Sequence, residues 1–170
     1  MNTPAVRTAT TISALALLFG ATACSDHTED KPMRSATQQQ VKQELLGQSD
    51  PIHRALGVQG VRDERNADSI SFLLCSDKGG GKQEGVFNAG YFWQINQLEP
   101  AETQAAVKRL YEYMKANGWK DVGFQTLGTS SEVEAWGGHP QLAVGVKAES
   151  VSDLGRIAIT TGTGCFKQTG

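Results

Sequence analysis

The chain has 170 residues, the length of one domain, and its 39% hydrophobic and 20% charged content is that of an ordinary globular protein. The formal net charge is −2 and no Lys/Arg stripe runs along the chain, which excludes a nucleic-acid surface that has to replace phosphate counterions. No basic cluster offers an electrostatic membrane patch either, so any membrane attachment has to come from the N-terminus.

Residues 1–23 read as a signal peptide. Arg7 and the free amine give a thin positive start, and residues 12–19 form a short apolar run. That run is too short for a hydrocarbon core, which takes about 20 apolar residues. Gly20-Ala21-Thr22-Ala23 then supplies the small residues of a cleavage site, and Cys24 follows at once. Ala21, Thr22, Ala23 and Cys24 resemble the lipobox of bacterial lipoproteins, with Ala21 standing where that family usually has Leu. The resemblance implies cleavage before Cys24, acylation of Cys24 and a lipid-anchored protein on the extracytoplasmic face of the cell membrane. Ala21-Thr22-Ala23 also satisfies the ordinary A-x-A rule, which cuts the same bond and leaves Cys24 without lipid.

Residues 24–36 are polar, charged and interrupted by Pro32, with too little apolar content to order themselves by burial. They read as a tether, and residues 37–170 as a single globular domain. Thr37 and Gln40 fit a capping box at a helix start. Val41, Leu45, Ile52 and Leu56 supply its apolar stripe, with Gly47 and Asp50-Pro51 as break and restart signals. One kinked helix or two short ones satisfy this pattern. Residues 58–75 read as a hairpin that turns at Asn66-Ala67-Asp68 and returns along Ile70-Ser71-Phe72-Leu73-Leu74-Cys75.

Gly79-Gly80-Gly81-Lys82 invites a phosphate-loop reading, but Gln83 stands where that loop needs Ser or Thr and no Gly stands at the required offset. It reads as a hairpin loop. Val86 to Asn96 is a strand with Tyr91, Trp93 and Ile95 on one face and Phe92, Gln94 and Asn96 on the other. A second helix begins at Pro100 and ends at Gly118, with Thr103, Ala106, Val107, Leu110 and Met114 inward and Trp119 as its C-terminal contact. Strands follow at Val122 to Leu127, Val133 to Trp136, Gln141 to Ala148 and Arg156 to Thr161. Short links between them favour antiparallel pairing. The predicted fold is α+β: a mainly antiparallel sheet of about five to six strands with two helical segments packed on one face.

The chain has three cysteines. With Cys24 acylated, Cys75 and Cys165 remain as a pair at the ends of apolar strands, in a compartment where a disulfide persists. Two buried free thiols are the other possibility. No C-x-x-C or H-x-x-x-H spacing suggests a metal, and no motif asks for a cofactor. The plan as a whole resembles small lipoproteins of actinobacterial envelopes: lipobox, polar tether, α+β domain and a final Gly164-Cys165. That resemblance is one of layout and implies location more than activity.

Of the three histidines, His27 falls in the tether, His53 on the first helix and His139 in a turn between strands. No G-x-S-x-G or H-E-x-x-H is present. The expected function is a non-enzymatic module that binds a protein partner or ligand at the envelope. A cell-wall hydrolase with an unrecognised site is the alternative. Tyr91, Trp93, Trp136 and His139 are the candidate ligand or partner face; a pocket lined by the aromatics favours a small apolar or glycan ligand, an open sheet favours a protein.

Overall fold

A computed structural model describes residues 33–63, 69–77, 79–127, 132–139, 141 and 143–170. The signal peptide, Cys24, His27 and the turn at Asn66-Ala67-Asp68 lie outside the described residues.

Helix α1 (Gln38–Leu56) starts at Thr37, whose hydroxyl accepts from the Gln40 amide while the Gln40 side chain accepts from the Thr37 amide. The capping box is therefore closed in both directions. The helix runs through Gly47 and Pro51 without interruption. Val41, Leu45, Ser49, Ile52 and Leu56 are all buried and keep one stripe across the proline. Tertiary burial of that stripe outweighs the hydrogen bond that Pro51 cannot donate. Helix α2 (Pro100–Ala116) ends in a paired-bond cap: Gly118 donates to Lys115 and Trp119 to Met114. Gly118 takes φ 69°, the left-handed conformation this cap needs, and Trp119 is buried behind it.

The sheet is mixed and mostly antiparallel, with nine strands among the described residues where the sequence suggested about five to six. They are β1 (Ser35–Ala36), β2 (Val61–Asp63), β3 (Ser71–Ser76), β4 (Lys82–Asn96), β5 (Lys120–Thr126), β6 (Val133–Gly138), β7 (Val144–Val151), β8 (Arg156–Thr163) and β9 (Phe166–Gln168). The excess has a simple origin in β4, which is 15 residues long and serves as a spine. On one side its first half pairs with β3 and its last three residues with β2. On the other side β8 and β9 follow each other along it, offset by one residue between the Gly90–Gly162 and Phe87–Phe166 pairs. That offset is a bulge, and it divides one long lane into two strands. β7, β6 and β5 continue the sheet beyond β8.

Two sequence expectations are corrected here. Residues 58–75 do not form a hairpin: β2 and β3 both pair with β4, at opposite ends, because β4 is long enough to hold both. The ordered domain also begins before Thr37, since Ser35 and Ala36 pair in parallel with Lys167 and Gln168 and Ala36 is buried. The hairpin that does form joins β3 to β4 through Asp77–Gly81. There the Asp77 carboxylate accepts from the Gly79 and Gly81 amides at 2.9 and 2.7 Å. Those are donors a phosphate would need, and the loop's own side chain occupies them.

Both helices lie on one face. α1 packs on α2, β4 and β8, and α2 covers β5, β6, β7 and β8. Cys75 and Cys165 are joined by a disulfide across β4, with Cα atoms 6.2 Å apart. The bridge falls where the β3–β4 register shifts, between Leu74 and Ser76.

Candidate functional site: the open face of the sheet

The pleat sends neighbouring residues to opposite faces, and this separates the aromatics nominated from sequence. Trp93 pairs with Ile159, Ile159 with Ala148 and Ala148 with Ala135, one row beneath the helices. Trp93 and Tyr91 are 0% and 1% exposed there, so they are core and line no accessible surface. The Arg62 guanidinium sits 4.8 Å over the Trp93 ring. Burial pushes the Tyr91 phenol above its ordinary range, with Arg62 opposing that shift. Trp136 follows Ala135 and projects from the other face. His139 returns to the helix side, where its ring meets Trp119 edge-on at 5.2 Å and its Nδ1 accepts from the Gln141 amide. Tyr91, Trp93, Trp136 and His139 therefore form no common ligand face. Identifying strand faces was possible from sequence within one strand; relating β4 to β6 required the register between them.

On the open face, Gly138 of β6 pairs with Gly145 of β7, Gly145 with Gly162 of β8, and Gly162 with Gly90 of β4. Four adjacent strands thus present bare backbone in one row. The next row is Trp136, Lys147, Thr160 and Phe92. Trp136 lies flat over Gly123 of β5, where a Cβ would collide with the indole. Lys147 reaches Glu134, its Nζ 2.5 Å from Oε2, and Gln125 donates to the same carboxylate. Glu134 is 6% exposed, the one buried acid among the described residues of this face, and Lys147 and Gln125 meet its two oxygens. Trp136, Lys147, Thr160, Gly145 and Gly162 line an open groove of about 310 Å³. Phe92, beyond Thr160 in the same row, is 43% exposed. The sequence reading placed Phe92 correctly opposite Trp93 but passed over Lys147, Thr160 and the glycines. A Gly inside a strand pattern is a signal of close approach; its alignment across four strands appears only with the pairing.

A second hollow, of about 520 Å³, opens at the C-terminal end of α1 between His53, Arg54, Gly57, Val58 and Gln59. Burial lowers the His53 pKa, Arg62 lowers it further and Asp50 opposes. Its imidazole is therefore neutral at pH 7. Arg62 is held 2.7 Å from Asp50, and Arg109 donates to the Leu56 carbonyl at the helix end. These contacts close the helix terminus, and among the described residues no serine, cysteine or carboxylate lines the hollow as a nucleophile. Among the described residues no group of His, Cys, Asp or Glu is arranged to hold a metal ion. No helix among them is long and apolar enough to cross a membrane.

No protein-family model matches the chain, and no curated protein matches it either.

Proposed function

We propose that this is a lipid-anchored protein of the cell envelope, held at the extracytoplasmic face of the membrane through Cys24. Its folded domain is a binding module that meets a protein partner with the open face of its sheet. The observation that carries the second half is the geometry of that face. The groove beside Trp136 is open and lined in part by glycines, and the described residues build no wall around it to surround a small molecule. Glu134, buried on the same face, is paired with Lys147. An aromatic beside bare backbone suits a broad protein contact, in which a few aromatic anchors carry most of the energy. The lipobox resemblance and the disulfide both support an exported location.

Two experiments test the two halves. Membrane fractionation with mass spectrometry of the mature N-terminus is expected to find a diacylated Cys24, and Cys24→Ala to release or leave unprocessed protein. An unmodified Cys24 on wholly released wild type would end the lipoprotein reading. A photo-crosslinking side chain at Thr160, on the open face, is expected to give one defined adduct in cells that Trp136→Ala removes. The same probe at Glu112, on the exposed side of α2, serves as control. Adducts at Glu112 but none at Thr160 would move the contact elsewhere.

A further inference from the structure

We infer that the outer edge of β3 is a self-association surface, which extends the sheet antiparallel into a second copy of this chain. Two of the sheet's edges, β5 and β3, are built differently. β5 is guarded as an edge strand normally is: Lys120 and Asp121 open it, Asp121 takes φ 51°, and its ladder shifts register before Gly123. β3 also carries a register shift, between Leu74 and Ser76, but it lacks the charges that open β5. Its residues Ser71-Phe72-Leu73-Leu74-Cys75-Ser76 contain no charge and no proline. Among the described residues it pairs with β4 alone. Leu73, at 63%, is the most exposed large hydrophobic residue described, and Leu74 is 41% exposed.

The occupant follows from the pattern of the strand itself. Leu73 faces the open side, opposite Asn88, while Phe72 and Leu74 face the helix side, opposite Ala89 and Phe87. A two-fold axis normal to the sheet at Leu73 sets Leu73 against the Leu73 of a second copy. It also sets Phe72 against the second copy's Leu74, the regular stretch of the strand ending there because the register shifts before Ser76. Every directly opposed apolar pair then lies on the same face, with Cβ atoms about 4.5–5.5 Å apart. No charge is buried and none opposes its like. A foreign strand can meet the same edge, but only a copy of this chain supplies that complement by symmetry. A six-residue edge falls short of the roughly 800 Å² per partner typical of stable interfaces, so the dimer is weak and concentration-dependent. This inference stands apart from the open-face reading, which uses the groove beside Trp136.

Sedimentation equilibrium of the full chain, as the cell processes it and in a density-matched detergent, tests this. A monomer–dimer equilibrium is expected for the wild type. Leu73→Lys sets two ammonium groups against each other on the axis and is expected to weaken association by about tenfold or more. Ser71→Lys, on the same exposed edge, is expected to act in the same direction. Leu154→Lys, at an equally exposed residue (62%) away from β3, is expected to leave it unchanged. Unchanged far-ultraviolet circular dichroism shows that each variant is folded. A wild type that stays monomeric at the highest attainable concentration overturns the inference. So does a dimer that Leu73→Lys and Ser71→Lys leave intact, or one that only Phe92→Lys dissociates, which would locate association on the open face.

Discussion

The two faces of the sheet are made by the same strands and are chemically unlike. Beneath the helices the rows are Tyr91, Trp93, Ile157, Ile159, Val146 and Ala148, all at most 3% exposed. On the open side the rows hold glycine, Thr160, Lys147 and two aromatics left partly in solvent, Phe92 and Trp136. Apolar area removed from water stabilises the first face, at about 25 cal/mol per Å². The second contributes backbone pairing and little burial. Stability thereby rests on one side of the layer, and the contact surface we propose lies on the other.

The largest expected effect lies on the covered face. Trp93→Ala removes the largest fully buried side chain and should destabilise by about 3–5 kcal/mol. Phe92→Ala, one residue away on the other face, should stay within about 0.5 kcal/mol. Denaturant midpoints of the two variants measure the contrast directly; similar losses would show that the open face is covered by something that buries Phe92.

Next comes the bond that ties β3 to the lane of β8 and β9 across β4. Cys75→Ser and Cys165→Ser should each cost about 2–5 kcal/mol, the usual range for small secreted domains. The double variant should lose no more than either single one, because one bond is broken in all three. Additive losses in thermal or chemical unfolding would argue against that.

Smaller again is the change that disturbs the open face itself. Gly123→Ala places a methyl group where the Trp136 indole lies, and the indole must lift away at a cost of about 1–3 kcal/mol. A red shift of tryptophan emission with little change in circular dichroism is the expected signature. Unchanged emission would mean that Trp136 does not rest on Gly123 in solution.

The smallest effect separates the hollow at the end of α1 from both faces. His53 titrates below its ordinary value in the folded protein. The unfolded chain therefore binds the extra proton first, and stability falls as pH drops through about 6.5 towards the lower folded value. The groups facing His53 are Arg62 and Asp50, and Asp50 is itself held low by its hydrogen bond to Arg62. His53→Gln should flatten the unfolding midpoint between about pH 7 and 5. A wild-type midpoint already flat across that interval would remove His53 as the cause.

Much of the fold was legible in local chemistry. The Thr37–Gln40 box, the inward stripe of α2, the Gly118–Trp119 cap and the alternation of Tyr91, Trp93 and Ile95 are short-range features with short-range causes. The elements that local signals left open or misplaced share a different character. Asp50-Pro51 is a good local helix start, yet the stripe from Val41 to Leu56 is buried as one unit and carries the helix through. Residues 58–75 carry good hairpin signals, yet β2 finds its partner at residues 94–96.

The candidate site divides along the same line. The separation of Trp93 from Phe92 is fixed by the two-residue period of a strand and needs no partner. The sequence alone therefore determined which residues of each strand belong together, where the helices begin and end, and the pair of cysteines an exported chain would have left after acylation of Cys24. Only the tertiary structure decided that Trp136 and Trp93 lie on opposite sides of the sheet. It also decided that four glycines from four strands fall in one row, and that β3, which carries no charge, pairs with β4 alone among the described residues. Each of these depends on register and lane order, which are set by long-range pairing and by where the helices cover the sheet, and no window of neighbouring residues encodes them.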